Sequence, residues 1–163
     1  MQPLILQTEG GTDLTDAQAA FWHRFCADTG HHGPPRDCDS FGGPDIANEL
    51  LALVLTGRKR ATCTNARWIA TGAMPMPVPG GLSLITGADG TPTCVIETTS
   101  VTIKPFREAT PHFAWREGEG NRMLYDWRRA HLQFFHRESR GNGYVFREGD
   151  MCAFEEFECI WQE

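Results

Sequence analysis

The stretch Gly57-Arg58-Lys59-Arg60-Ala61-Thr62-Cys63-Thr64 joins two unlike patterns. Before it, Asp45 to Thr56 is strongly apolar with helical spacing, and Lys59 to Asn65, with its β-branched and small residues, reads as a strand. Gly57 stands between them and suits the left-handed residue that ends a helix. Arg58, Lys59 and Arg60 gather cations at one chain reversal, and Thr62 and Thr64 add hydroxyls. The chain has 15 basic residues, of which only Lys59 and Lys104 are lysines. Arginine keeps its proton, whereas a lysine that is buried or crowded by cations can release it. Lys59 is therefore a candidate base or nucleophile activator. The plainer reading is a solvated basic turn.

Working outward, Pro44 to Thr56 reads as a helix with Pro44 in its first turn and Ile46, Leu50, Leu53 and Val54 as its apolar stripe. Thr15 to Asp28 reads as an earlier helix, capped by Asp13 or Thr12, with Phe21 and Phe25 on one face and Gly30 at its end. His31 to Gly43 is rich in Gly, Pro and Asp and reads as a loop. Downstream, Met74 to Gly81 alternates prolines and must be irregular. Leu82 to Thr86 reads as a strand, Gly87 to Gly90 as a hairpin turn, and Thr93 to Ile103 as the longest strand. Thr110 to Trp115 is a short helix, broken by Glu117-Gly118-Glu119-Gly120. Asn121 to Ser139 is a long helix with Leu124, Trp127, His131, Phe134 and Phe135 on one side. Tyr144 to Phe146 and Met151 to Trp161 read as the last strands. Strands without regular βαβ alternation point to an α+β arrangement, a mixed barrel with helices packed outside.

Glu97 is the second informative residue. It shares a strand face with Val95, Val101 and Ile103, the more apolar of the two. A carboxylate facing inward is costly unless paired, and Lys59 or a neighbouring arginine is a candidate partner. A buried ion pair that only closes the barrel, or an edge position, explains it equally well. Lys59 and Thr62 fall on opposite faces of an ideal strand, so a bulge or a turn residue at Lys59 is required if the two are to act together. His131 within an apolar face beside Trp127 is either a satisfied core residue or the lining of a pocket. Glu117 and Glu119 between glycines are either a solvated loop or a place for donors or a divalent metal.

At 163 residues the chain is long enough for one domain with a buried core. We place an N-terminal helical arm over residues 1–40 and the main domain over 41–163. The formal net charge of −6 argues against a general electrostatic grip on duplex nucleic acid, though not against a local basic cleft. Met1 to Gly11 offers only Leu4-Ile5-Leu6 as an apolar run, so no secretory signal is expected, and Leu50 to Leu55 is too short to span a bilayer. The six cysteines are then expected to be reduced thiols in the cytoplasm. Cys26, His31, His32 and Cys38 have spacings too loose for a zinc site to be expected.

Taken in order, several stretches resemble one family. They are Phe41-Gly42-Gly43, the helix Ile46 to Leu55, Gly57 to Thr62, Cys94 to Thr99, Glu117 to Gly120, and Asp126-Trp127-Arg128-Arg129-Ala130-His131. The chain is similar to ASCH domain proteins of the PUA-like superfamily. That resemblance implies a PUA-like barrel whose cleft accepts RNA or a modified nucleoside, with no cofactor and no membrane partner. Of the family signature G-x-K-x-x-E-x-R, Gly57 and Lys59 match, while Thr62 replaces the acid and Thr64 the arginine. A branch that hydrolyses the acetyl amide of N4-acetylcytidine carries a lysine, a threonine and a strand glutamate, and Lys59, Thr62 and Glu97 match that trio. The implied catalytic set is thus Lys59, Thr62 and Glu97. Arg58, Arg60, Trp68, Glu119, Trp127 and His131 are the residues expected to bind substrate; in an RNA-binding module Trp68, Trp127 or Tyr125 would stack on bases. Two other classes stay open. One is a ribonuclease, with Lys59 neutralising phosphate and His131 transferring a proton. The other is an RNA-binding module without catalysis. Monomer and homodimer are both compatible with the sequence.

Overall fold

Two long strands, Pro92–Pro105 (β4) and Met151–Gln162 (β5), pair antiparallel from Cys94 opposite Gln162 to Pro105 opposite Met151 in the computed structural model. The register slips between Val95 and Ile96 and again between Thr98 and Ser100, which bends the ribbon. Leu82–Thr86 (β3) adds antiparallel to β4 through the turn at Gly87 to Gly90, and the short Asp37–Asp39 (β1) lies parallel to β3. Ala61–Asn65 (β2) pairs antiparallel with the other edge of β5. The order β1-β3-β4-β5-β2 makes one mixed sheet curled into a half-barrel, an α+β fold. The structure describes residues 13–163. The Leu4-Ile5-Leu6 run and the Thr12 cap position lie outside them.

Helices cover the sheet because each carries one apolar face. Asp16–Thr29 (α1) sets Phe21, Trp22 and Phe25 against Leu84, Val95 and Trp161. Its start is capped by Thr15 and Gln18, which bond each other's backbone N–H reciprocally. Asp13, the expected cap that lies within the described residues, is not the N-cap. Ala47–Leu55 (α2) packs Leu51 and Val54 on Ile85, Cys94, Ile96 and Phe157. After the short Ala66–Ala70 (α3), Pro111–Glu117 (α4) and Leu124–Gly141 (α5) complete the third part of the core. There Phe113, Trp127 and Phe135 meet Phe106, Phe146 and Phe154. Residues 13–40 supply α1 and β1, and both pack on this same sheet.

Two expectations fail locally. The expected loop His31 to Gly43 contains β1, which three residues cannot announce by periodicity and which exists only through pairing with β3. Tyr144 to Phe146 is not a strand. Tyr144 N donates to Ser139 O and Phe146 N to Ser139 Oγ, so this segment folds back on the end of α5. No described helix is long and apolar enough to cross a membrane.

Candidate functional site

Gly57 adopts φ +73° and ends α2. The N–H groups of Arg58 and Lys59 then both donate to Leu53 O at 2.9 Å, and Arg60 N donates to Arg116 O at 2.9 Å. Lys59 is therefore a pinned turn residue ahead of β2, and the strand's alternation does not govern where its side chain points. That side chain is buried, 1% exposed. Its Nζ donates to Ala61 O at 2.9 Å and Glu119 Oε1 at 2.7 Å, and approaches Glu117 Oε1 at 3.4 Å. Three acceptors match the three donors of an ammonium group. The ring of Phe41 lies 5.2 Å from the same nitrogen.

Glu117 ends α4 and is also buried. Its Oε2 accepts a hydrogen bond from Trp127 Nε1, and its Oε1 lies 3.1 Å from His131 Nε2. The other ring nitrogen, His131 Nδ1, lies 2.9 Å from Trp127 O. Both partners of the ring can only accept, a backbone carbonyl on one side and a carboxylate on the other, so an imidazolium satisfies both. The ring stacks on the indole of Trp127 at 4.0 Å between centroids. Burial alone would push the Glu117 carboxyl up. The His131 and Lys59 cations, helped by the His131 and Trp127 hydrogen bonds, outweigh it and hold the group at about 2. Burial likewise works against the His131 cation, yet the Glu117 charge and hydrogen bond, the Glu119 charge and the Trp127 carbonyl leave it raised above its ordinary 6.5.

These shifts carry a signed prediction. Glu117, lowered from 4.5 to about 2, contributes stability above pH 4.5 that fades as pH falls toward 2. His131, raised, contributes stability below pH 6.5 that fades as pH rises through its folded value. The pair therefore stabilises most between these limits. By NMR, His131 is expected to titrate above 6.5, and lower in Glu117→Gln than in the wild type, because only the Glu119 charge and the Trp127 carbonyl then oppose burial. An unchanged midpoint in Glu117→Gln would contradict this account.

A cavity of about 470 Å³ opens beside this cluster, lined by Lys59, Thr62, Trp68, Glu119 and His131 among others. Five residues expected from sequence thus share one space. Four others do not line it. Arg58 donates through Nε to Gly118 O and through a terminal nitrogen to Gly120 O, each at 2.7 Å, so it fastens the α4–α5 loop from outside. Arg60 bonds Gly57 O at 2.6 Å and is exposed. Trp127 lies beneath His131 and positions it together with Glu117. Glu97 sits on β4 opposite Leu82 and Glu158. Its neighbour Ile96 lines the cavity and Thr98 bonds Glu155, which also lines it, so Glu97 alternates to the other face. The carboxylates that meet Lys59 are Glu117 and Glu119.

Glu155, next to Arg36, is a residue that sequence reading missed. It stands directly opposite Thr62 in the β2–β5 register, lines the cavity and accepts from Thr98 Oγ1 at 2.6 Å. Burial pushes its carboxyl up, against the Thr98 bond and the Arg36 charge. The one available signal was the acidic pair Glu155-Glu156 between Phe154 and Phe157, where strict alternation allows a single polar position per face. Tyr125 is exposed and does not line the cavity.

Glu117, Glu119 and His131 offer ligand atoms within 4.8 Å of one another and form a metal-compatible group among the described residues. Lys59 Nζ already sits against both carboxylates, so an ammonium takes the cation's place between them. Cys26 and Cys38 pack against the α1 core cluster as free thiols.

The model of the ASCH domain family matches residues 37–161. The chain belongs to the ASCH domain family. Its fold is similar to that of an ASCH domain from Lactobacillus crispatus JV V101, with 30% identity, TM-score 0.82, and 96% of this chain and 98% of that one covered. It is also similar to protein EF3133 from Enterococcus faecalis V583, with 26% identity, TM-score 0.79 and 88% of each chain covered. No curated protein matches it significantly. In this ASCH domain Thr64, which stands where the signature has arginine, lines the cavity, and so does the guanidinium-bearing Arg36 just ahead of β1.

Proposed function

We propose that this ASCH domain is a hydrolase of an acylated pyrimidine nucleoside, an amide of the N4-acetylcytidine type. The observation that carries the reading is the charge of the cavity wall. Asp37, Asp39, Glu117, Glu119, Glu138 and Glu155 outnumber Arg36, Lys59, Arg137 and His131. Such a wall repels a polyphosphate chain and suits an uncharged ligand rich in donors. Its volume of about 470 Å³ lies in the range of small-molecule sites.

The roles follow from the chemistry of the lining. Thr62 Oγ1 attacks the amide carbonyl carbon, and its proton passes to Glu119, the more exposed of the two carboxylates on Lys59. Lys59, with its three acceptors, acts as a cation beside the developing oxyanion rather than as a neutral base. The C–N bond then breaks while the nucleoside amine takes that proton from Glu119. Water gives a proton to Glu119 and hydrolyses the acyl-threonine, the acid leaves, and Glu119 returns the proton to Thr62 Oγ1. Glu97, off the cavity, has no part in these steps.

Acetate release from N4-acetylcytidine by the purified protein is the test. Thr62→Val and Lys59→Ala are expected to lower it by on the order of a hundredfold or more. Absence of turnover across a panel of acylated nucleosides would overturn the proposal. Cleavage of labelled single-stranded RNA would then make the protein a ribonuclease, and salt-sensitive binding without cleavage would make it an RNA-binding module.

A further inference from the structure

The sheet side of the cavity carries polar groups that the hydrolytic steps leave unused. Ser83, Thr98 and Glu155 stand on β3, β4 and β5, three adjacent strands, with Thr62 next to them on β2. Glu155, 7% exposed, has its Oε1 engaged by Thr98 and lies 3.7 Å from a terminal nitrogen of Arg36. Its Oε2 accepts no hydrogen bond from the described residues. That Arg36 nitrogen donates to Ser83 Oγ at 2.7 Å, the other reaches Pro75 O only at 3.5 Å, and Nε is buried without a partner. A buried ion pair ordinarily completes its hydrogen bonds within the protein. This one holds unused donors beside an unused acceptor at a cavity wall.

We propose that Arg36 and Glu155 form a specificity subsite that reads the edge of a cytosine-type base. The assignment rests on the nucleoside reading above and names the base. Such an edge presents an exocyclic N–H donor next to a ring nitrogen and a carbonyl oxygen. Glu155 accepts from the exocyclic nitrogen, as acidic side chains do with cytosine, and Arg36 donates to the two acceptors. An N4-acyl group leaves that N–H in place. Because directly opposed residues on paired strands are near neighbours, the scissile amide then lies beside Thr62. Uracil carries a carbonyl at the same position and sets oxygen against the Glu155 carboxylate, so the subsite rejects it.

Calorimetric titration with cytidine and with uridine tests the subsite without requiring turnover. The wild-type protein is expected to bind cytidine at least about tenfold more tightly than uridine. Glu155→Gln, which keeps the shape and the Thr98 bond while adding a donor, is expected to bring the ratio to about one or to invert it. Equal binding of the two nucleosides, no binding of either, or a preference untouched by Glu155→Gln would overturn the subsite. Acetate release, followed in the same preparation, separates the two proposals. A cytidine preference without turnover removes the hydrolase and keeps the subsite, and turnover without a preference does the reverse. A melting curve of the variant confirms its fold, and the wild-type ratio needs no variant at all.

Discussion

Gly118→Ala is expected to lower unfolding stability by about 3–5 kcal/mol, read from denaturant or thermal melts. Gly118 closes α4 at φ +76°, a conformation that costs an L residue energy in its own right. A Cβ there would meet Arg58 O at 2.2 Å and Arg58 C at 2.7 Å. Both are backbone atoms of the pinned turn that presents Lys59, so no side chain can swing away to relieve the clash. Either the α4–α5 loop retreats and takes Glu117 and Glu119 off the lysine, or the turn itself moves. Gly120 provides the control. Its φ is +53° and nothing lies within 4 Å of its Cβ position, so Gly120→Ala should cost only about 1 kcal/mol. Similar melts for the two variants would show that the approach of the loop to the turn is not a constraint on the fold.

Lys59→Met carries the second large effect, a loss of about 3–5 kcal/mol near neutral pH. Methionine fills a similar space but removes the cation that faces two carboxylates, one of them buried. The sign of the pH dependence follows from Glu117. In the wild type its carboxyl is held at about 2, and the stability this supplies fades as pH falls below 4.5. In the variant, with Lys59 absent, the carboxyl rises and takes up a proton sooner. The gap between the two proteins should therefore narrow as pH falls from 4.5 toward 2. Glu119→Gln makes a milder comparison, about 1 kcal/mol or less, because its carboxylate is 27% exposed and water already screens it. A Lys59→Met protein as stable as the wild type at pH 7 would show that the buried ammonium contributes nothing net.

Strong periodicity made most of the fold legible. The apolar stripe of α2, the Phe21 and Phe25 face of α1 and the Trp127, His131 and Phe135 face of α5 all appear as buried surfaces. Leu82–Thr86 and the turn after it fall where alternation and glycine place them. Expectation failed where a tertiary partner overrode the local pattern. Parity grouped Glu97 with Val95, Val101 and Ile103, but the extra residue Thr99 at the Thr98/Ser100 slip takes Val101 and Ile103 out of step with Glu97, and the face that carries Ile96 and Thr98 is the one turned to the cavity. The basic triplet looked like a single cationic surface. In the fold Arg58 binds loop carbonyls, Arg60 binds the Gly57 carbonyl, and only Lys59 enters the cavity.

From residue order alone came the family, the α+β class and the identity of the residue at the centre, because glycine, lysine and apolar spacing act through neighbours a few positions away. Which carboxylates meet that lysine was settled only in three dimensions. Glu117 and Glu119 lie 58 and 60 residues from Lys59 in the chain, and a glycine without a side chain brings them to it. Glu155 reaches the cavity through strand pairing with Thr62, a register that no spacing within β5 encodes.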